Sequence, residues 1–386
     1  MIYFDNAATT EMSESVLEAM LPYLKHSYGN PGALYRLGRE ARTAINKARE
    51  QVAMFVGSTP EQIVFTSGGS EANNLAIIGC ADHLRRNNKL RIVTDMSEHD
   101  SVLRAASRLA SGDVAIDYAK VGADGRVDWD CLRSKITDNT GMVSVMAVNN
   151  ETGAINPVFD IGQLCKRSGV LFMTDCVQAA GAIPLFKRKP ECDFLTISSH
   201  KIHGPKGIGA LYVKDKNILS PIISGGEHQE YGLRAGTENV AGIVGFGKAC
   251  EERMKRFFYI QNSIKRFKAE FICHLAKYIY GGENSFIING SANVDYPVGI
   301  ISLTFPNVDA ETLVLMADAK GVCVSAGSAC RAHESTPSRV LTSMGVRGEN
   351  AYQTVRISFS ELNTLNDIKR GAMIVAECVN EIRAFR

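Results

Sequence analysis

The 386-residue chain is 45% hydrophobic, with 43 Lys and Arg against 41 Asp and Glu, so it can bury a large core over two domains and has no polyanion-binding charge excess. No apolar run reaches membrane length, and Met1-Ile-Tyr-Phe-Asp5 has no basic leader or cleavage signature, which points to a cytoplasmic protein. Ten cysteines without a C-x-x-C pair speak for reduced thiols and against a zinc ribbon or disulfide scaffold, and Cys80, Cys165 and Cys250 read as small buried hydrophobes.

Phe4-Asp-Asn-Ala-Ala-Thr-Thr10 and Gly29-Asn-Pro-Gly32 read as turns, the second leading into a helical pattern from Arg36 to Val56. A short strand, 62–66, then runs through Ser67-Gly-Gly-Ser-Glu71 into a helix from Ala72 to about Arg85. Strand, glycine turn and helix start together make an anion site, because free backbone N–H groups and the helix dipole face the ligand. Gly69 and Ser70 are its candidates for a phosphate.

The alternation continues with strands at 91–94, 142–148 and 170–174 and helices at 101–109 and 161–167. This rhythm implies an α/β fold with a mostly parallel sheet, helices on both faces and ligands at the carboxyl ends of the strands. His99, Asn150, Asp175 and Gln178 fall at those ends. Each has a plainer reading: a loop histidine is often just hydrogen-bonded, and an aspartate after a strand often caps a helix.

Phe194–Ile197 and Ile208–Val213 read as strands around Ser198-Ser-His-Lys-Ile-His-Gly-Pro205. A lone loop lysine is usually a solvated charge. Here Ser198, Ser199 and His200 form a hydroxyl and imidazole cluster suited to a phosphate, and Gly204 permits close backbone approach. Lys201 so presented can form a Schiff base with an aldehyde cofactor, for which pyridoxal phosphate is the candidate.

From Val240 to about Tyr280 the pattern is helical and leads to a smaller domain with strands near 286–289 and 300–305 and helices at 310–319 and 364–385. Within it, small residues flank Cys330. An ordinary thiol is only a few per cent thiolate at neutral pH, a fraction that Arg331 and His333 could raise.

In combination these segments resemble the NifS/IscS cysteine desulfurases, pyridoxal-phosphate enzymes, over nearly the whole chain. The resemblance rests on the lysine segment at 193–213, on Asp5-Asn-Ala-Ala-Thr-Thr10 and on Ser67-Gly-Gly-Ser-Glu-Ala-Asn-Asn-Leu-Ala-Ile77. It extends to Asn149-Asn-Glu-Thr-Gly153, Asp175-Cys-Val-Gln178, the glycine-rich stretch at 225–239 that ends Arg234-Ala-Gly-Thr-Glu-Asn239, and the short-loop segment Ser325-Ala-Gly-Ser-Ala-Cys330. It implies the aspartate-aminotransferase type of fold, with a large cofactor-binding domain over 13–250 and a small α+β domain from 1–12 and 251–386. Lys201 would carry the cofactor and take the α-proton of L-cysteine. His99 would cover the ring, Asp175 would keep its nitrogen protonated, and Gln178 and Asn150 would bond the ring hydroxyl or steer the substrate. Gly69, Ser70, Ser198, Ser199 and His200 would serve the cofactor, and Arg356 would hold the substrate carboxylate. Thr237 would reach the phosphate of a second subunit, which implies a homodimer. Cys330 would take the sulfur as a persulfide, release L-alanine and pass the sulfur to an acceptor protein for iron-sulfur assembly or tRNA or cofactor thiolation. No nucleic acid, membrane or metal is implied as a direct partner. A selenocysteine lyase, an aminotransferase, or a sulfur-relay scaffold without catalysis are the alternatives. The chain departs from the family pattern at Glu11, at Cys176, at Glu227 and His228 in place of glycines, and at Ser360-Glu361 in place of a glycine-arginine pair.

Overall fold

In a computed structural model, residues 1–290, 297–327, 337–346 and 348–385 are described. The chain begins with β1 (Ile2–Tyr3), α1 (Glu14–Lys25) and α2 (Arg36–Val56), followed by β2 (Ile63–Thr66), α3 (Gly69–Gly79) and α4 (Ala81–Arg86). Then come β3 (Arg91–Asp95), α5 (Asp100–Ala110), β4 (Ala115–Ala119), α6 (Trp129–Lys135), β5 (Thr140–Ser144), α7 (Val158–Ser168), β6 (Leu171–Asp175), β7 (Phe194–Ser198) and β8 (Gly209–Val213). These strands form one sheet in the order β2-β8-β7-β6-β5-β3-β4, in which β8 alone runs against its neighbours.

Every residue of β7 is buried, as expected of a strand covered on both faces. Leu195 and Ile197 face one core with the apolar sides of α2, α7 and α8 (Val240–Lys255), while Phe194 faces a second core with α3, α4 and α5. The period of two thus splits one strand between two layers.

The helical stretch after residue 240 is two helices, α8 and α9 (Phe257–Tyr278), that meet at Arg256. Beyond it lie β9 (Ile287–Asn289), β10 (Ile300–Thr304), α10 (Ala310–Ala319), β11 (Val322–Cys323), α11 (Arg339–Ser343), β12 (Thr354–Ser358) and α12 (Leu365–Ala384). A small antiparallel sheet, β12-β10-β9, shares a third core with α9, α10 and α12. The chain start belongs to that core: β1 pairs with β11, and the Phe4 ring meets Phe359 and Phe271 edge-on at 5.1 and 5.8 Å. A Cβ on Gly371 would stand 2.3 Å from the Phe4 ring, so α12 packs there only as glycine.

The short helix α11 is an exception. Its Val340, Leu341 and Met344 pack with Val121 of the large-sheet unit and not into the third core. No helix among the described residues is long and apolar enough to cross a membrane.

Candidate active site

The carboxyl ends of β3, β5, β6 and β7 converge on a cavity of about 250 Å³. Gly69, Ser70, His99, Asn150, Asp175, Gln178, Ser198, His200, Lys201 and Arg356 all line it, so residues spread over nearly 290 positions of sequence meet in one space. Cys330 lies outside the described residues.

Lys201 ends a single 3-10 turn after β7, and its Nζ donates to the carbonyls of Ala7 and Ala8, both at 2.6 Å. The N-terminal turn therefore holds the amine at the cavity wall. Gln178 Nε2 also donates to Ala7 O, at 2.8 Å. Burial, helped by the charges of Lys201 and Lys206, pushes His200 down to about 4, so its imidazole is neutral at pH 7, beside Thr9 Oγ1 at 3.1 Å.

A buried chain of polar groups joins Asp175 to His99. Asp175 Oδ1 accepts from the Val177 N–H at 2.9 Å and Oδ2 from Asn73 Nδ2 at 2.7 Å. The same amide donates to Ser101 Oγ at 2.9 Å. Ser101 in turn meets His99 Nδ1, through its hydroxyl at 2.8 Å and its N–H at 3.1 Å. With Nδ1 accepting, the neutral imidazole carries its proton on Nε2. Asn73, one helical turn beyond Gly69, belongs to the motif that marked the helix start, yet its role was not legible there.

Glu98 is a further group that the sequence did not single out. It is buried at the cavity wall, where Oε1 accepts from the Met146 N–H and Oε2 has no partner. Burial, then the charges of Asp95 and Asp175, pushes its carboxyl well up and favours the neutral acid.

At the other wall, Arg356 of β12 donates from Nη2 to Asp5 Oδ1 at 2.7 Å and from Nη1 to Asn150 O at 2.9 Å, while its Nε is buried without a partner. A guanidinium has five N–H donors, so this fork retains donors for a carboxylate.

The cavity fits pyridoxal phosphate. The first N–H groups of α3 are unused within the helix, and a Cβ on Gly69 would press to 2.8 Å from Val177 Cγ2, so this turn is built for close backbone approach. Ser198 Oγ is buried at the wall with no partner. The backbone groups of Gly69 and Ser70 with Ser198 and His200 would hold the phosphate, Asp175 the ring nitrogen, and Lys201 the aldehyde. Ser199 does not line this space; its buried Oγ, also unpartnered, faces Gly204.

Thr237 is exposed and lies away from the cavity. The loop before it is firmly tied: Glu230, with φ at +42°, accepts from Arg49 at 2.8 and 2.5 Å and from the Phe65 N–H at 2.7 Å. Arg42 meets Glu238 at 3.2 Å and donates to Pro31 O at 3.2 Å, which sets the Gly29–Gly32 turn beside the threonine.

The two ends of the segment that contains Cys330 flank this cavity. On one side Ser325 bridges Arg356 of β12, with backbone bonds of 2.7 and 3.1 Å. On the other, Ser338 Oγ donates to Glu151 Oε2, and Arg339 and Val340 line the cavity.

The aminotransferase class-V family matches residues 2–370. A putative cysteine desulfurase IscS 1 of Bacillus subtilis is 40% identical over 382 residues, 99% of each chain. A cysteine desulfurase of Nostoc is 38% identical over 385 residues, 100% of this chain and 94% of its own. Among solved structures, a NifS-like protein superposes with a TM-score of 0.90 at 32% identity over 100% of both chains. SspA in complex with cysteine does so with a TM-score of 0.82 at 35% identity, over 94% of this chain and 100% of that one. The chain belongs to the class-V aminotransferases, pyridoxal-phosphate enzymes, and within them to the NifS/IscS cysteine desulfurases.

Proposed function

We propose that this enzyme converts L-cysteine to L-alanine, leaves the sulfur as a persulfide on Cys330, and works as a cytoplasmic homodimer that hands the sulfur to an acceptor protein. The observation that carries this reading is the placement of Lys201 and Arg356 on one cavity that is flanked by both ends of the Cys330 segment.

Arg356 binds the substrate carboxylate with its remaining donors and so fixes the α-carbon near Lys201. Bound pyridoxal phosphate supplies an electron sink for the α-carbon. Lys201 Nζ takes the α-proton. Asp175, held by Asn73 and the Val177 N–H, would keep the ring nitrogen protonated, and His99 would cover the ring. The Cys330 thiolate then attacks the substrate sulfur: the new S–S bond forms as the substrate C–S bond breaks. The electron pair of the broken bond stays with substrate carbon, which is protonated to give alanine.

Destinations for the sulfur are iron-sulfur assembly or tRNA or cofactor thiolation. Isolation of the persulfidated enzyme with its cytosolic partners tests this, since transfer of labelled sulfur to a scaffold or to a thiolation enzyme separates the two. Pyruvate as the main product from L-cysteine would replace the whole reading with a transamination.

A further inference from the structure

We infer that Arg339 is a positioning residue for His99, fastening from α11 the turn that presents the imidazole to the cavity. This rests on the reading of the cavity as the cofactor site.

The turn runs from the end of β3 to the start of α5, through Met96, Ser97, Glu98 and His99. Irregular backbone of this kind leaves carbonyls without ladder partners. Arg339 takes two of them: Nε donates to Met96 O at 2.8 Å and Nη2 to Glu98 O at 2.5 Å, while Nη1 meets Asp100 Oδ1 at 2.7 Å. One guanidinium plane thus grips the backbone two residues apart and the side chain just beyond His99. A lysine cannot reproduce that grip, because its ammonium is a point charge without a planar fork. The other supports of the turn come from within the large-sheet unit: Asn149 Nδ2 donates to Ser97 O at 3.0 Å, the Ser97 N–H to Asp95 Oδ1 at 2.7 Å, and the Met146 N–H to Glu98 Oε1.

Arg339 is itself well seated. Ser338 caps α11 and donates to Glu151, and Val340, Leu341 and Met344 pack with Val121. The titratable groups facing the guanidinium are Asp100, which pairs with it, and the carboxyls of Glu98 and Asp95, both of which burial pushes up. Because α11 follows the Cys330 segment in sequence, the clasp also ties this later helix to the residue that covers the ring.

The test compares wild type with Arg339→Ala and Arg339→Lys by amide hydrogen exchange over 96–101, in enzyme with and without cofactor. It adds visible circular dichroism of the bound cofactor and kcat and KM for alanine formation. Each charge-assisted hydrogen bond shifts a local opening equilibrium by on the order of tenfold. Arg339→Ala is therefore expected to exchange at least about tenfold faster in this segment with and without cofactor. Its cofactor dichroism should weaken, and its kcat should fall about tenfold or more at a KM within about threefold. Arg339→Lys should recover part of each. Wild-type exchange and dichroism in Arg339→Ala overturn the proposal, as does a lower melting temperature with unchanged exchange at 96–101. Failure of the cofactor reading shows separately, as wild-type enzyme that fixes no cofactor on Lys201.

Discussion

Glu361 and Arg253 form an ion pair at 2.6 Å that is almost wholly buried, between the loop after β12 and the last turn of α8. The His203 imidazole joins it at 3.4 Å from Glu361 and also meets Glu11 O at 2.8 Å. This cluster lies behind Lys201 and ties the small-sheet unit, the large-sheet unit and the N-terminal turn together. It also accounts for a departure in the sequence, since Glu361 replaces the arginine expected there and its partner is an arginine on another element.

Burial alone would raise the Glu361 carboxyl, but Arg253 and His203 outweigh it and hold the group well below the usual carboxylate range. A depressed folded pKa gives stability that is present above the unfolded value, about 4.3, and is lost as pH falls toward the folded value. Glu361→Gln leaves Arg253 buried without its counter-charge and should cost about 3 kcal/mol near pH 7. Chemical denaturation should show the gap between wild type and variant shrinking as pH drops below about 4. A gap that is constant with pH would mean that the pair adds no charge-dependent stability.

His200 should remain neutral well below pH 6, with its imidazole resonances titrating near the value of about 4 set by burial and by Lys201 and Lys206. NMR of ring-labelled protein measures this directly. An ordinary titration near 6.5 would show a solvated ring and remove His200 from the phosphate side of the cavity.

Burial pushes the thiols of Cys80, Cys165 and Cys192 up to about 12. In the folded enzyme at neutral pH they should resist iodoacetamide for hours, whereas unfolding should expose them at once. Peptide mapping of the alkylated protein reads each site, and rapid labelling of Cys80 in the folded enzyme would contradict the packing of α3 against α4.

Thr237 is exposed beside the Gly29–Gly32 turn, with Leu34 at 89% exposure close by in sequence. A second subunit seated on this face would receive the threonine at its phosphate. Sedimentation should give a dimer, and Thr237→Ala should loosen the cofactor about tenfold, as expected for the loss of one hydrogen bond to a charged group, with the dimer intact. A fully active monomer would rule out the shared site.

Much of this architecture is legible in the sequence because several central strands carry short apolar runs. Ile63 to Phe65 and Ala210 to Val213 have that form, and strand ends in such a sheet mark where His99, Asn150, Asp175 and Lys201 meet. The rest depends on contacts that local patterns do not carry. β4 holds Asp117 and Tyr118 on a half-exposed sheet edge, so it shows no apolar run. β12 hides because Thr354, Arg356 and Ser358 are polar, although all its residues are buried. Arg49 reads as one more charge on α2 until Glu230 arrives from 181 residues away. Glu98, Asn73 and Arg339 likewise gain their roles only from partners far along the chain.

Borohydride reduction of the enzyme with bound cofactor should fix the label on the Lys201 peptide, because Nζ of Lys201 stands at the cavity wall. A label on any other lysine would displace Lys201 from the chemistry.

The most direct measurement is mass spectrometry of the Cys330 peptide after the enzyme meets L-cysteine. Wild type should gain one sulfur on Cys330 and release alanine. Cys330→Ser should still bind the substrate but lose persulfide formation by several orders of magnitude, since an unassisted hydroxyl is un-ionised at neutral pH. Lys201→Ala should also leave Cys330 unmodified, because the α-proton is never taken. Alanine and sulfur released by Cys330→Ser at the wild-type rate would contradict the account at its centre.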